Sequence, residues 1–303
     1  MKAWISQPSG LAAMGKIPDS VSVEVFKGDG PYPSDPATVD FWVPSFLAQG
    51  KGTAPIHDMT RLKVVQLMSA GAEAWVDVVP DSVTLCDAMG VHTESTSEWV
   101  VTAILASLRN FDVFARSQAR REWNRFYSGT LAGKQVLIVG AGDIGSAIAR
   151  RVEVFGATTV KVARHERDGV HPVSALPTLL PDADVVVLIV PVTRETIGMV
   201  DAGFLARMRD GALLVNAARG VIVDTEALIV ETGSGRLRAA LDVTDPEPLP
   251  TESPLWTIPG VLITPHVGGA VDTVIDNAHH LVGAQLRRFA AGEPLRNMVT
   301  DGY

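Results

Sequence analysis

Cysteine is almost missing from this 303-residue chain: Cys86 stands alone. An internal disulfide is therefore excluded, and a reducing compartment fits best. Cys86 sits in the apolar run Val83-Thr-Leu-Cys-Asp-Ala88 with no base beside it, the setting of a buried hydrophobe rather than a nucleophile. No stretch of Lys and Arg forms a stripe, and the formal net charge is -8, so nucleic acid is not an expected partner. Long apolar runs are absent as well. The longest, Val185 to Val192, has the length of a strand, so no membrane association is expected. Met1-Lys-Ala-Trp-Ile-Ser-Gln-Pro8 lacks an apolar core of signal-peptide length, which points to a cytoplasmic protein. Metal-ligand spacing is missing too. His279 and His280 are adjacent on a helical pattern and point in different directions, so no metal is expected.

What is present suits a globular protein of two domains. The chain is 47% hydrophobic and long enough to bury two cores. One stretch organises the rest, Lys134-Gln-Val-Leu-Ile-Val-Gly-Ala-Gly-Asp-Ile-Gly-Ser-Ala-Ile-Ala-Arg150. Val136 to Val139 make a short β-branched run of strand type, followed by Gly140, Gly142 and Gly145 in G-x-G-x-x-G spacing. Ile144, Ala147, Ile148 and Val152 then recur at helical intervals. Strand, glycine turn and helix together make a dinucleotide-binding unit. Gly140 permits the turn, Gly142 admits a pyrophosphate to the backbone, and Gly145 lets the helix pack closely. The phosphates would meet unpaired N–H groups at the helix start.

In chain order, residues 1–98 alternate apolar runs with loops and short helical patterns. Ala3 to Ile5, Val21 to Phe26, Val39 to Val43, Val64 to Met68 and Val83 to Cys86 read as strands. Thr60, Ser45 to Ala48 and Gly71 to Val76 read as caps and short helices, and Gly28 to Pro36 as loop. A long helix is expected from Glu98 towards Ala119. An arm follows, Arg120-Arg-Glu-Trp-Asn-Arg-Phe-Tyr127, whose Trp123 suits either a subunit interface or a cover for the helix. After the glycine turn, strands at Thr158–Ala163, Asp182–Pro191, Ala212–Asn216, Ala239–Val243 and Val261–Thr264 alternate with helices at Thr196–Arg209 and Thr225–Glu231. That series predicts a doubly wound parallel sheet over residues 99–272. The final helical pattern, Thr273 to Ala291, is long enough to cross back, so residues 273–303 are expected to complete the first domain.

Ligands of an open α/β sheet bind outside the carboxyl ends of its strands. An acidic residue ending the second strand would mark NAD, but here Ala163 holds that place, followed by Arg164-His-Glu-Arg167. Arginine's fork suits a 2′-phosphate, so Arg164, His165 and Arg167 favour NADP(H) over NAD(H), with Glu166 as an opposing charge. Arg219 follows one later strand, Asp242 and Glu247 the next, and His266 the last. Singly, each has an ordinary explanation as a surface or loop residue, and Asp245 rivals Glu247 on the same loop. Jointly they suit hydride transfer to a keto acid, with Arg binding the carboxylate, His protonating the carbonyl oxygen and a carboxylate stabilising the imidazolium.

These motifs resemble the D-isomer-specific 2-hydroxyacid dehydrogenases, close to their glyoxylate/hydroxypyruvate reductase branch. The matching stretches are Val139–Gly145, Val190-Pro-Val-Thr-Arg-Glu-Thr196, Asn216-Ala-Ala-Arg-Gly220, Leu241–Leu249 and Thr264-Pro-His-Val-Gly268. They cover most of residues 95–270 in order. The resemblance implies a Rossmann cofactor domain and a smaller flavodoxin-like substrate domain. It implies Arg219, Glu247 and His266 as the catalytic trio, which selects Glu247 over Asp245. It further implies cofactor contacts from Thr96, Gly140, Gly142, Asp143, Ile144, Gly145, Pro191, Thr196, Ala217, Ala218 and Gly268, with Asp242 holding the nicotinamide carboxamide. Leu67-Met-Ser-Ala-Gly-Ala-Glu73 resembles the family's substrate loop, with amides around Ala70 and Gly71 for the substrate carboxylate, although the family has Asp where Glu73 stands. Phe41-Trp-Val-Pro44 is similar to a substrate-side loop, which makes Trp42 a pocket wall or simply a packed aromatic. The implied activity is NAD(P)H-dependent reduction of a small 2-keto acid by a homodimer. Rival readings are a same-fold enzyme oxidising formate or phosphite, against which Glu247 stands because formate enzymes carry Gln there, and a nucleotide-sensing interaction protein.

Overall fold

The computed structural model describes residues 1–46 and 51–300. It divides into two units, residues 1–92 together with the chain from Val271 onward, and Thr93–Ala270. Both units are built on parallel sheets with helices, as expected.

The first unit contains β1 (Lys2–Ile5), α1 (Gly10–Ala13), β2 (Ser22–Val25), β3 (Phe41–Trp42), β4 (Val64–Gln66) and β5 (Thr84–Cys86). All pairings are parallel, in the order β2-β1-β3-β4-β5, which is the flavodoxin arrangement. Successive residues of each strand point to opposite faces and so feed two cores. Trp4, Trp42, Val65 and Leu85 enter one core, while Ala3, Ile5, Phe41 and Val64 enter the other. The C-terminal helix Val274–Ala291 closes this second core with Ala278, Val282 and Leu286. Gly10 and Gly283 allow that helix to approach, because a Cβ on them would overlap the His279 ring and the Met14 carbonyl. His279 is thereby fully buried, with Nδ1 hydrogen-bonded to the Ile275 carbonyl at 2.8 Å. Burial pushes the Cys86 thiol up to about 12, so it stays protonated. The stretch expected as a helix at Gly71–Val76 is instead turns closed on the Ala72 carbonyl, which accepts from the N–H groups of Trp75 and Val76. Of the Ser45–Ala48 expectation, Leu47 and Ala48 lie outside the described residues.

The second unit contains α2 (Thr93–Leu108), α3 (Phe111–Ala119), β6 (Gln135–Val139), α4 (Asp143–Val154), β7 (Thr158–Ala163), β8 (His171–Pro172), α5 (Leu176–Leu179), β9 (Val185–Leu188), α6 (Ala202–Arg207), β10 (Leu213–Asn216), α7 (Thr225–Gly233), β11 (Arg238–Leu241) and β12 (Val261–Ile263). Its seven parallel strands run β12-β11-β10-β9-β6-β7-β8, the Rossmann order with one strand added. Leu137, Val186 and Leu214 pack with α6 and α7 on one face; Val136, Val185 and Leu213 pack with α2 and α4 on the other. The continuous apolar strands are thus buried on both sides.

Two helices differ from expectation. The long helix begins earlier, at Thr93, and breaks at Asn110, whose φ of 54° is left-handed. Arg238 clasps that break by donating to the Ser107 carbonyl and, at 3.2 Å, to Asn110 Oδ1. The helix expected over Thr196–Arg209 is reduced to α6. The Thr196 hydroxyl donates to the Pro191 carbonyl at 2.7 Å, and Gly198 adopts φ 64°, so the chain turns there instead.

Beneath the amino ends of the strands, Asp184 gathers the Gln135 N–H (2.9 Å), Lys134 Nζ (3.2 Å) and Arg209 Nη1 (3.0 Å). Burial opposes its ionisation, but these donors outweigh it and hold the carboxyl below its ordinary range. A depressed carboxyl contributes stability at neutral pH that is lost as pH falls through its folded value. Asp184→Asn is expected to cost about 1–2 kcal/mol at pH 7, with the difference from wild type vanishing in acid; denaturant unfolding across pH measures both.

Candidate active site

The glycine turn has the shape its spacing predicts. Gly140 has φ 118°, and a Cβ there would overlap the Ile189 carbonyl. A Cβ on Gly145 would overlap the Gly140 carbonyl, so α4 packs directly on the turn. Gly142 differs: nothing lies within 4 Å of where its Cβ would be. The tight positions need glycine for the fold, whereas Gly142 faces open space at the N-cap of α4, whose Asp143 and Ile144 begin the helix. A bare backbone beside a 12-residue helix start fits a dinucleotide's phosphates.

In sheet order β9 and β7 flank β6, so the loops after them lie on either side of this turn. After β7, the exposed Arg164 pairs with Glu195 at 2.9 Å, and Arg167 Nη2 donates to the Ala141 carbonyl at 2.7 Å. His165 is exposed beside them. After β9, Thr196 Oγ1 accepts from the Thr193 N–H at 2.8 Å while donating to the Pro191 carbonyl, which closes the Pro191–Thr196 loop on itself. Thr96 is 8% exposed on α2.

The strand-end residues are organised by two buried polar side chains. Asn216 ends β10; its Oδ1 accepts the Ala218 N–H at 3.1 Å and its Nδ2 donates to the Arg219 carbonyl at 3.0 Å. Ala217, Ala218 and Arg219 are thereby folded into a fixed turn. Gly220 follows because a Cβ there would overlap the Thr244 carbonyl on the next loop. Asp242, 4% exposed just beyond β11, accepts three protein donors. Thr264 Oγ1 (2.6 Å) and the Val267 N–H (2.8 Å) donate to Oδ1, and the Gly268 N–H (2.8 Å) donates to Oδ2. The His266 N–H also donates to the Asp242 carbonyl at 2.7 Å, with His266 at φ 54°.

His266 Nδ1 lies 2.7 Å from Glu247 Oε1. An ionised carboxylate only accepts, so the proton of that bond sits on Nδ1 and Nε2 is the ring's other working atom. Glu247 is 42% exposed and His266 34%. The imidazole can therefore exchange protons with a small molecule while the carboxylate fixes its tautomer. Arg219, half-buried, follows β10, the strand hydrogen-bonded to β11. The structure pairs His266 with Glu247, and Asp245, the rival carboxylate, is exposed with its carbonyl receiving the Thr225 hydroxyl at 2.9 Å.

Within the first unit, the loop after β4 is tied down by a glutamine chain. Gln66 Nε2 donates to the carbonyls of Leu67 (2.9 Å) and Asp87 (2.8 Å), and Gln285 Nε2 donates to Gln66 Oε1 at 2.9 Å. Ala70 and Gly71 are half-buried on that loop. Trp42 is 1% exposed, edge-on to Trp75 at 5.5 Å, and stands in the core rather than at a surface. Sequence reasoning missed Asn216, Gly220, Thr264 and the Gln66–Gln285 chain as positioning groups. The available signals were an asparagine and a glutamine closing apolar strands. Among the described residues, no group of three or more His, Cys, Asp or Glu could hold a metal ion, and no helix is long and apolar enough to cross a membrane.

Residues 101–268 match the family model described as D-isomer specific 2-hydroxyacid dehydrogenase, NAD binding domain. A D-3-phosphoglycerate dehydrogenase of Archaeoglobus fulgidus is 34% identical over 226 residues, covering 72% of this chain and 43% of that protein. The chain thus spans less than half of that relative's length. Glyoxylate/hydroxypyruvate reductase B of Citrobacter koseri is 34% identical over 72% of each chain. Among solved structures, a D-isomer specific 2-hydroxyacid dehydrogenase of Xanthobacter autotrophicus Py2, in complex with NADPH and MES, superposes with a TM-score of 0.85 at 31% identity, over 99% of both chains.

Asp242→Asn keeps an acceptor for Thr264 and Val267 but sets an amide –NH2 against the Gly268 N–H. We expect a loss of about 1–3 kcal/mol and faster amide hydrogen exchange at Val267 and Gly268. Unchanged protection at both amides would refute the organising role.

Proposed function

The chain belongs to the D-isomer specific 2-hydroxyacid dehydrogenase family, and on that premise we propose that it reduces a small 2-keto acid of glyoxylate or hydroxypyruvate type to the D-2-hydroxy acid, preferring NADPH. The observation that carries this reading is the 2.7 Å His266–Glu247 pair, beyond the end of the same sheet that carries Arg219. The rival reading, a nucleotide sensor, is separated by turnover: a sensor would bind the cofactor and reduce little or no keto acid.

The chain's own residues divide the work as follows. The guanidinium of Arg219 binds the substrate carboxylate and polarises the carbonyl. A bound nicotinamide supplies the hydride that reaches the carbonyl carbon. His266 gives the Nε2 proton to the carbonyl oxygen, and Glu247 stabilises the imidazolium before that transfer. Reduction starts from the charged imidazole and ends with the neutral one; oxidation runs the same path backwards. Gly140, Gly142, Gly145, Asp143 and Ile144 would hold the pyrophosphate, and Arg164, His165 and Arg167 the 2′-phosphate. Pro191, Thr196, Ala217, Ala218, Thr96 and Gly268 would line the remainder. Asp242 keeps one acceptor position on Oδ2 beside its Gly268 bond, enough for a carboxamide N–H.

The similarity to phosphoglycerate dehydrogenase supports one second reading, in which the substrate carries a phosphate. Assay of glyoxylate and hydroxypyruvate with NADPH and NADH, and of 3-phosphoglycerate with the oxidised cofactors, separates the two. The first reading requires kcat/KM to be highest for an unphosphorylated acid with NADPH. His266→Gln is expected to bind cofactor normally while turnover drops by about two to four orders of magnitude; near-normal turnover would remove the proton-donor assignment.

The reading also includes a homodimer working in the cytoplasm. Trp123 and Tyr127 are 97% and 99% exposed on the arm after α3, a large apolar display for a surface that meets only water. Sedimentation should give twice the chain mass, and Trp123→Ala should shift the population towards monomer.

A further inference from the structure

The arginine best placed to choose between the two cofactors is already engaged. Arg164 follows β7 and Glu195 follows β9, yet their side chains meet at 2.9 Å, although β6 lies between those strands. The contact therefore reaches across the side of the sheet where the glycine turn emerges. Glu195 is held for it by its loop. Its N–H donates to Thr193 Oγ1 at 3.3 Å, and the Thr193 and Ile197 N–H groups are fixed by Thr196 Oγ1 and the Thr193 carbonyl. Arg167 is anchored on the turn itself through the Ala141 carbonyl. Both cations thus have partners, but of different kinds. The Arg167 partner is a neutral carbonyl, which leaves the positive charge unspent. The Arg164 partner is a carboxylate, which offsets it.

We infer that Glu195 is a specificity-determining residue that competes with the cofactor's 2′-phosphate for Arg164. This rests on the reading above that Arg164 and Arg167 receive that phosphate. A dianionic phosphate arriving at Arg164 must displace the Glu195 carboxylate or sit beside it, and both cost binding free energy. A cofactor with a 2′-hydroxyl meets no such penalty. Glu195 therefore weakens NADP(H) selectively and draws the two affinities together. Both partners are more than half exposed, with side-chain accessibilities of 51% and 62%, so the pair is solvent-screened and the effect modest.

The test is equilibrium binding of NADPH and NADH, read by nicotinamide fluorescence, to wild type, three single variants and one double variant. Glu195→Gln should tighten NADPH by roughly two- to fivefold and leave NADH unchanged. Glu166→Gln removes a carboxylate from the loop that bears Arg164 without touching the pair, and should shift NADPH less. Arg164→Ala should weaken NADPH and not NADH, and adding Glu195→Gln to it should bring no further gain. If Arg164→Ala leaves the ratio of the two affinities unchanged, the 2′-phosphate reading itself fails, and the inference with it. If Arg164→Ala lowers the ratio but Glu195→Gln does not raise it, or Glu166→Gln raises it equally, only the competition fails.

Discussion

The rest of the site hangs on the carboxylate of Asp242. It stands just past β11, almost fully buried, and would be costly there without partners. Its partners are a hydroxyl and two backbone N–H groups from a single stretch, Thr264–Gly268. Satisfying that one group therefore fixes the backbone on both sides of His266, whose own N–H returns to the Asp242 carbonyl. A histidine held in a left-handed conformation is an uncommon choice for a non-glycine residue. The surrounding bonds make it the available one, and the imidazole is delivered to Glu247 as a result.

A similar device recurs one strand away, where Asn216 ends β10 and folds the next three residues around itself. In both cases a buried polar side chain at the carboxyl end of a strand spends its hydrogen bonds on the loop that follows. Parallel strands buried on both faces have little room for polar groups along their length. Chemistry is left to the ends, and the ends need such anchors because loops lack a ladder of their own.

Much of this was legible in the sequence. The strands of the second unit are apolar runs broken by turn formers, and in the glycine turn that follows β6 a Cβ on Gly140 or Gly145 would overlap backbone, while Gly142 stands in open space. Arg219, His266 and a carboxylate, Asp245 or Glu247, stand out as polar at strand ends, and the family resemblance selects Glu247. Less legible were features that depend on a partner distant in the chain. Asn110 breaks a good helical pattern through a backbone conformation that periodicity does not encode. Thr196 turns a helical-looking stretch by capturing a carbonyl five residues back. Gln66 and Gln285 meet across more than two hundred positions. Glu195, inside a recognisable motif, gave no sign of reaching Arg164, whereas the sequence neighbour Glu166 drew attention as the opposing charge. Trp42 reads in the sequence as either a pocket wall or a packed aromatic, and the fold buries its volume in a core.

The C-terminal helix carries a further consequence, for how the protein comes into being. Ala278, Val282 and Leu286 close a core whose other walls, Ala3, Ile5, Phe41 and Val64, are made first. As the chain leaves the ribosome, that core lacks this helix while the whole of Thr93–Ala270 is synthesised. The second unit has all its strands before the first has its last helix. Until that helix emerges, the apolar surface it covers is open on the nascent chain, a point of vulnerability to aggregation.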